Sequence, residues 1–228
     1  MNAVPYLIDE SALGQDAEIW FAVPPGFVPL PLQELSEAVH VPAQAGRQGD
    51  ALELMLTGLP DGTARETLLA GLGPVFRMAQ LLLAAGAVQC CVGLHKDDEG
   101  DGGLLLSLFT LASRTTDWAP RGLLAARAAL STKDAERIEV LDLSCGPVSL
   151  VQTRLIAPQE AGNTTGHRLL QNTAYVPCPD GRRLAILTLA TPAVGHASYY
   201  RALLRDIVGT VSFDSPLPNA SDAAPDED

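Results

Sequence analysis

The sequence predicts an α+β fold: an α/β/α sandwich on a mostly antiparallel sheet of about six strands flanked by helices. Three observations carry this expectation. Tyr200, Leu203, Leu204, Ile207, Val208 and Val211 recur at the 3.6-residue period, so the end of the chain holds a helix with one apolar stripe. Just before it, Leu184 to Thr191 is apolar on both alternating sets, which predicts a strand covered on both faces. Upstream, strand-forming runs are joined by tight turns, and such pairs are antiparallel neighbours.

Taken in order, Glu18 to Val23 reads as a strand. Pro24 to Pro31 carries four prolines and a glycine, so it reads as an extended or turning connection. Leu32 to Val39 suits a short helix, and Pro42 to Asp50 a polar loop. Thr63 to Ala85 is helical, opened by the capping box Thr63-Ala64-Arg65-Glu66, weakened at Gly71, Gly73 and Pro74, and stopped at Gly86. Val88 to Leu94 and Leu104 to Ala112 are strands across the polar turn His95 to Gly103. Pro120 to Leu130 is a helix, since Pro is accepted in a first turn. Ile138 to Leu143 and Val148 to Ile156 form a hairpin through Ser144-Cys145-Gly146-Pro147. Leu169 to Val176 and Leu184 to Thr191 form another, through Pro177 to Gly181.

Domain organisation follows: a lead-in over 1–17, one domain over 18–213, and an acidic, proline-containing disordered tail over 214–228. Asp214, Asp222, Asp226, Glu227 and Asp228 lie in that tail with Pro216, Pro218 and Pro225, and it lacks the apolar surface needed to offset ordering entropy. The 228 residues are 47% hydrophobic, ample for a core, and carry a net charge of −12. That balance argues against a nucleic-acid surface, which needs clustered Lys and Arg. The first residues have no basic segment followed by an apolar one, and the apolar run Leu81 to Leu94 is short and broken by Gly86 and Gln89. The expectation is a cytoplasmic protein without membrane insertion, its four cysteines reduced. Only Lys96 and Lys133 are lysines, which with the richness in Ala, Leu, Gly and Pro fits a GC-rich bacterial genome.

Candidate chemistry is sparse. Asp97-x-Glu99-x-Asp101-Gly102 resembles the first half of a calcium loop, but Leu108 stands where the bidentate Glu belongs. Cys145 sits on a tight turn, where a nucleophile is exposed, yet His40, His95, His167 and His196 lie in unrelated segments. Cys90 and Cys91 alternate along a strand and read as core. Gly71-Leu72-Gly73-Pro74 sits inside a helical run and is no phosphate cradle. Trp20 and Tyr200 read as core, Arg182 and Arg183 as solvated hairpin charges, and Trp118 stands open between surface and core. The sequence therefore assigns no catalytic, cofactor-binding or metal residue and no cofactor.

The segment Val23-Pro24-Pro25-Gly26-Phe27, and the end module Leu187 to Pro192 followed by helix Tyr199 to Val211 and Phe213, resemble the PsbP-like fold group. The resemblance spans about Glu18 to Phe213. It implies the same α/β/α sandwich, and a role as an accessory or binding protein rather than an enzyme. The expected function is a non-catalytic cytosolic bacterial adaptor that binds a protein partner. The alternative is a small-molecule-binding protein or enzyme whose site gathers Asp117, Arg154 and His196 from distant loops.

Overall fold

Long strands with apolar residues on alternate positions organise the molecule. The computed structural model describes residues 7–8, 18–30, 32, 81–96, 104–156 and 168–214. The strands are β1 (Leu7–Ile8), β2 (Ala22–Val23), β3 (Phe27–Pro29), β4 (Ala87–Lys96), β5 (Leu104–Thr115), β6 (Ala135–Leu143), β7 (Gly146–Ile156), β8 (Arg168–Pro177) and β9 (Arg183–Thr191). Helix α1 (Arg121–Leu130) follows β5, and α2 (Ala197–Gly209) follows β9 through a 3-10 turn, Val194–His196. Residues 81–84 are also helical.

Among the described residues, seven strands form one sheet in the order β3-β4-β5-β9-β8-β7-β6, each antiparallel to its neighbours. The class is α+β, with seven strands where about six were expected. β3 is the extra one. Its prolines argue for a connection, but β3 is an edge strand, and an edge strand tolerates Pro because one side needs no donor. Phe27 pairs opposite Gly93 and Pro29 opposite Cys91. The strand expected over Glu18 to Val23 contracts to Ala22–Val23, which pairs with Leu7–Ile8, while Trp20 bridges to Ser212.

The helix ends follow local chemistry. Gly86 has φ +83, so it closes the helical turn at 81–84 as its sequence position implies. The other part of the expected Thr63 helix, most of the expected Leu32 helix, the Pro42 loop, the Asp97 to Gly102 motif and the tail beyond Asp214 lie outside the described residues. Pro120 occupies the N-cap of α1, with no side-chain cap.

Register assigns each strand residue to a face. On one face lie Phe27, Cys91, Phe109, Leu111, Leu141, Val148, Leu150, Leu170, Ala174, Val176, Leu187 and Leu189, packed with Phe21, Val23 and the α2 stripe of Tyr200, Leu204, Ile207, Val208 and Val211 into the main core. The ring of Phe109 stands 5.5 Å from Phe21 and 6.3 Å from Phe27. Helix α2 lies on β8 and β9. Helix α1 packs on β7 and β8, burying Leu124, Ala125 and Ala129, and meets the alternate set that includes Tyr175. On that same set, Cys90 joins a smaller cluster with Leu30, Leu32 and Ala87.

Candidate functional site

Among the described residues, a concavity lies between α1 and strands β5, β9 and β8. Leu184 and Ile186 from β9 and Tyr175 from β8 form its floor, with Leu124 and Ala128 from α1 on one wall. Arg114 stands on β5, in phase with Leu184 and opposite it in the ladder, and Arg127 stands on α1. Thr115, Thr116 and Asp117 close one end, and Ser131 and Thr132 follow α1. The cleft encloses about 670 Å³, within the range of small-molecule sites. β9 was expected to be covered on both faces. Its odd-numbered residues from Ala185 to Thr191 are buried, whereas Ile186, Thr188 and Ala190 are only partly covered among the described residues.

Two devices hold the cleft in shape. The first is the β8–β9 turn, which pins the segment leading into α1. Thr116 N donates to Arg182 O at 2.7 Å and Ala119 N to Gly181 O at 3.1 Å. Gly181 has φ +64, and a Cβ there would stand 2.9 Å from Ala119 O and 3.1 Å from Trp118 Nε1, so only glycine fits the approach. Trp118 is 63% exposed and belongs to the surface. The second device is Arg121. Its guanidinium donates to Pro177 O from Nε at 3.1 Å and from Nη2 at 2.8 Å, and to Cys145 O, with the Phe213 ring 5.8 Å away. One side chain thus ties the first turn of α1 to two hairpin ends.

Within the cleft the polar groups are less occupied. Tyr175 Oη and Thr132 Oγ1 share a hydrogen bond of 2.8 Å. Neither the Arg114 nor the Arg127 guanidinium has a hydrogen-bond or ion-pair partner among the described residues. Of the other arginines, Arg154 pairs with Glu136 at 3.3 Å, Arg205 with Glu139 at 3.2 Å, and Arg183 with Asp180 at 2.7 Å and also with Glu18, while the side chains of Arg137, Arg168 and Arg182 are likewise without a partner among the described residues. Hydrogen bonds from Arg182 N and the Arg183 side chain hold the Asp180 carboxyl below its usual range.

A second polar place lies under α2. Asn172 is 2% exposed, in phase with Leu170, Ala174 and Val176, and neither of its amide atoms has a hydrogen-bond partner among the described residues. It lines a narrow crevice with Arg137, Glu139, Gln152 and Arg201, where Arg201 Nη1 donates to Gln152 Oε1 at 3.2 Å. The third place is β6, an edge strand of the sheet. The two-residue turn Ser144-Cys145 makes Leu143 and Gly146 a hydrogen-bonded pair. Alternation along the ladder then turns the backbone groups of Leu141 and Glu139 toward β7, and those of Val140 and Ile138 outward. Their side chains are 69% and 42% exposed.

The residues weighed as an assembled site are separated. Asp117 follows β5, whose Thr115 pairs with Arg183 at one end of β9. Arg154 pairs with Leu170, which pairs with Thr191 at the other end, where the chain turns through His196. Those ends are eight positions apart, about 26 Å at strand rise. Asp117 lines the cleft, and Arg154 and His196 do not. Cys145 is buried, and desolvation raises its thiol pKa, so it is a core residue and a poor nucleophile. Burial pushes Cys90 up to about 12. Among the described residues, no group of three or more His, Cys, Asp or Glu is placed to hold a metal ion, and no helix is long and apolar enough to cross a membrane.

Sequence reasoning missed Arg114, Arg127 and Asn172. Asn172 carried a readable signal, a polar residue in phase with a buried set. Arg114 extends the alternate set Leu106, Leu108, Thr110 and Ala112 of β5, but its partners in the cleft come from α1, β8 and β9, which only the fold brings together. The chain matches no family model, no curated protein and no solved structure.

Proposed function

We propose that the chain is a non-catalytic accessory or adaptor protein, an α/β/α sandwich of the PsbP-like kind, that binds a protein partner in the bacterial cytoplasm. The observation that carries this reading is β6. Among the described residues it is an edge strand with an outward ladder at Ile138 and Val140, and both side chains are exposed on the face of the sheet that carries α1. A partner strand added there satisfies outward amides and carbonyls while covering two apolar side chains, the usual logic of strand addition. The buried cysteines, with thiols raised by desolvation at Cys90, Cys145 and Cys178, favour binding over thiol chemistry.

The test is a pull-down from the native cell with tagged parent and with Ile138→Lys/Val140→Lys, read by mass spectrometry. Both substitutions are on exposed positions, so the fold is retained. The expected result is a protein captured by the parent and lost with the variant. Capture of the same protein by both contradicts the β6 surface. Capture of nothing by either contradicts the partner-binding reading.

A further inference from the structure

We propose that the cleft between α1 and strands β5, β9 and β8 is a binding site for a small amphipathic oxyanion: an apolar body ending in a carboxylate or a phosphate. Leu184, Ile186, Leu124 and Ala128 give it an apolar lining. Leu184 and Leu124 are themselves buried, so a ligand body would cover mainly the partly exposed Ile186 and Ala128, and the cavity volume suits one small molecule. Arg114 and Arg127 reach the cleft from different elements, β5 and α1. Each guanidinium offers a planar fork of donors that matches a carboxylate or phosphate, and among the described residues neither fork is spent on the protein.

The rest of the lining narrows the chemistry. Ser131, Thr115 and the Tyr175–Thr132 hydroxyl pair supply neutral donors and acceptors around the head group. Asp117 stands at the loop end, so a ligand charged negatively along its whole length meets repulsion there. One oxyanion head on an apolar body avoids it. The whole chain carries −12, so its overall field repels anions. Affinity must therefore come from these two arginines rather than from general attraction. This surface is distinct from the β6 ladder, and the site stands or falls independently of partner binding.

The experiment is isothermal titration calorimetry on the full chain with octanoate, octyl phosphate and octanol, each in the parent and in Arg114→Met, Arg127→Met and Arg205→Met. Arg205 is an arginine of α2, outside the cleft. The expected result is saturable binding of an oxyanion probe, weakened about tenfold or more by either cleft substitution and unchanged by Arg205→Met. The tighter of the two oxyanions identifies the head group. Octanol binding as well as octanoate and octyl phosphate overturns the oxyanion assignment. Equal affinity in the cleft variants overturns the role of the arginines, and absence of saturable heat with every probe overturns the site. Circular dichroism of each variant confirms the fold, since both arginines are exposed.

Discussion

Leu187 and Ile186 are neighbours in β9, yet Leu187 has no exposed surface while Ile186 floors an open cleft. The same contrast runs across the sheet. On the α2 face, alternate residues of seven strands close against five buried side chains, Tyr200, Leu204, Ile207, Val208 and Val211. On the other face, among the described residues, α1 covers β7 and β8 and a smaller cluster forms around Cys90, while the floor beside α1 is shared by apolar residues and by Arg114 and Arg127. Among the described residues, the larger buried cluster is on the α2 face and the smaller one on the α1 face. Arg114 and Arg127 are exposed and lie outside both buried clusters.

The largest break in this comparison comes from α2. Leu204→Asp places a carboxylate at a position with no exposed surface, in the middle of the stripe. The cost is on the order of 5 kcal/mol, enough to unfold a domain of ordinary stability. Circular dichroism should show loss of the cooperative thermal transition, and a parent-like melting curve would mean that α2 is not the keystone.

Arg121 links the two faces, because it ties the start of α1 to carbonyls at the ends of β6 and β8. Arg121→Ala removes charge-assisted bonds and strands the carbonyls of Pro177 and Cys145, which should cost about 3 kcal/mol in urea unfolding. A loss below about 0.5 kcal/mol would show that α1 is held by packing alone.

Asn172 sharpens the comparison from the opposite direction, since it is a buried polar residue on the α2 face whose amide atoms have no hydrogen-bond partner among the described residues. Replacing an unsatisfied buried amide with an apolar residue of similar volume should raise stability, so Asn172→Leu is expected to gain about 1–2 kcal/mol. A loss of that size would mean the amide is satisfied in solution, by water or by a ligand in the crevice with Arg201 and Gln152.

The smallest effect belongs to Asp180 at the β8–β9 turn. Folding lowers its pKa, so its contribution to stability is full above the unfolded value of 3.8 and fades as pH falls through the lower folded value. The Asp180 side chain is 35% exposed on a surface turn, so solvent screens its charge and the contribution is small. Carboxyl titration by NMR should place its midpoint below 3.8, and a midpoint at or above that value would show that the turn hydrogen bonds do not persist.

How far the sequence reached follows the same division. The α2 stripe was legible because six apolar residues repeat at helical period, and the long strands because their alternation and turns agree. Gly86 was legible as a stop because its sequence position follows an apolar helical run. β3 was not, because its prolines argue against a strand until its place at the edge is known. The cleft was not legible either. Its walls come from β5, the loop after it, α1, β8 and β9, and Arg114 lies 61 residues before Tyr175. Asp117 reached the cleft, but Arg154 and His196 lie at the other end of β9. Charge and polarity on a surface carry no period, so sequence alone cannot tell a solvated arginine from one aimed across a floor.

The most direct test of the division is the urea unfolding free energy of a single variant that combines Arg114→Met, Arg127→Met, Ile138→Lys and Val140→Lys. All four positions are exposed, and none belongs to the main core. If stability resides on the α2 face and binding groups on the other, the variant should unfold within about 1 kcal/mol of the parent, with the same m-value. A loss of several kcal/mol would contradict the account, because the α1 side would then be holding the fold together rather than standing ready for something else.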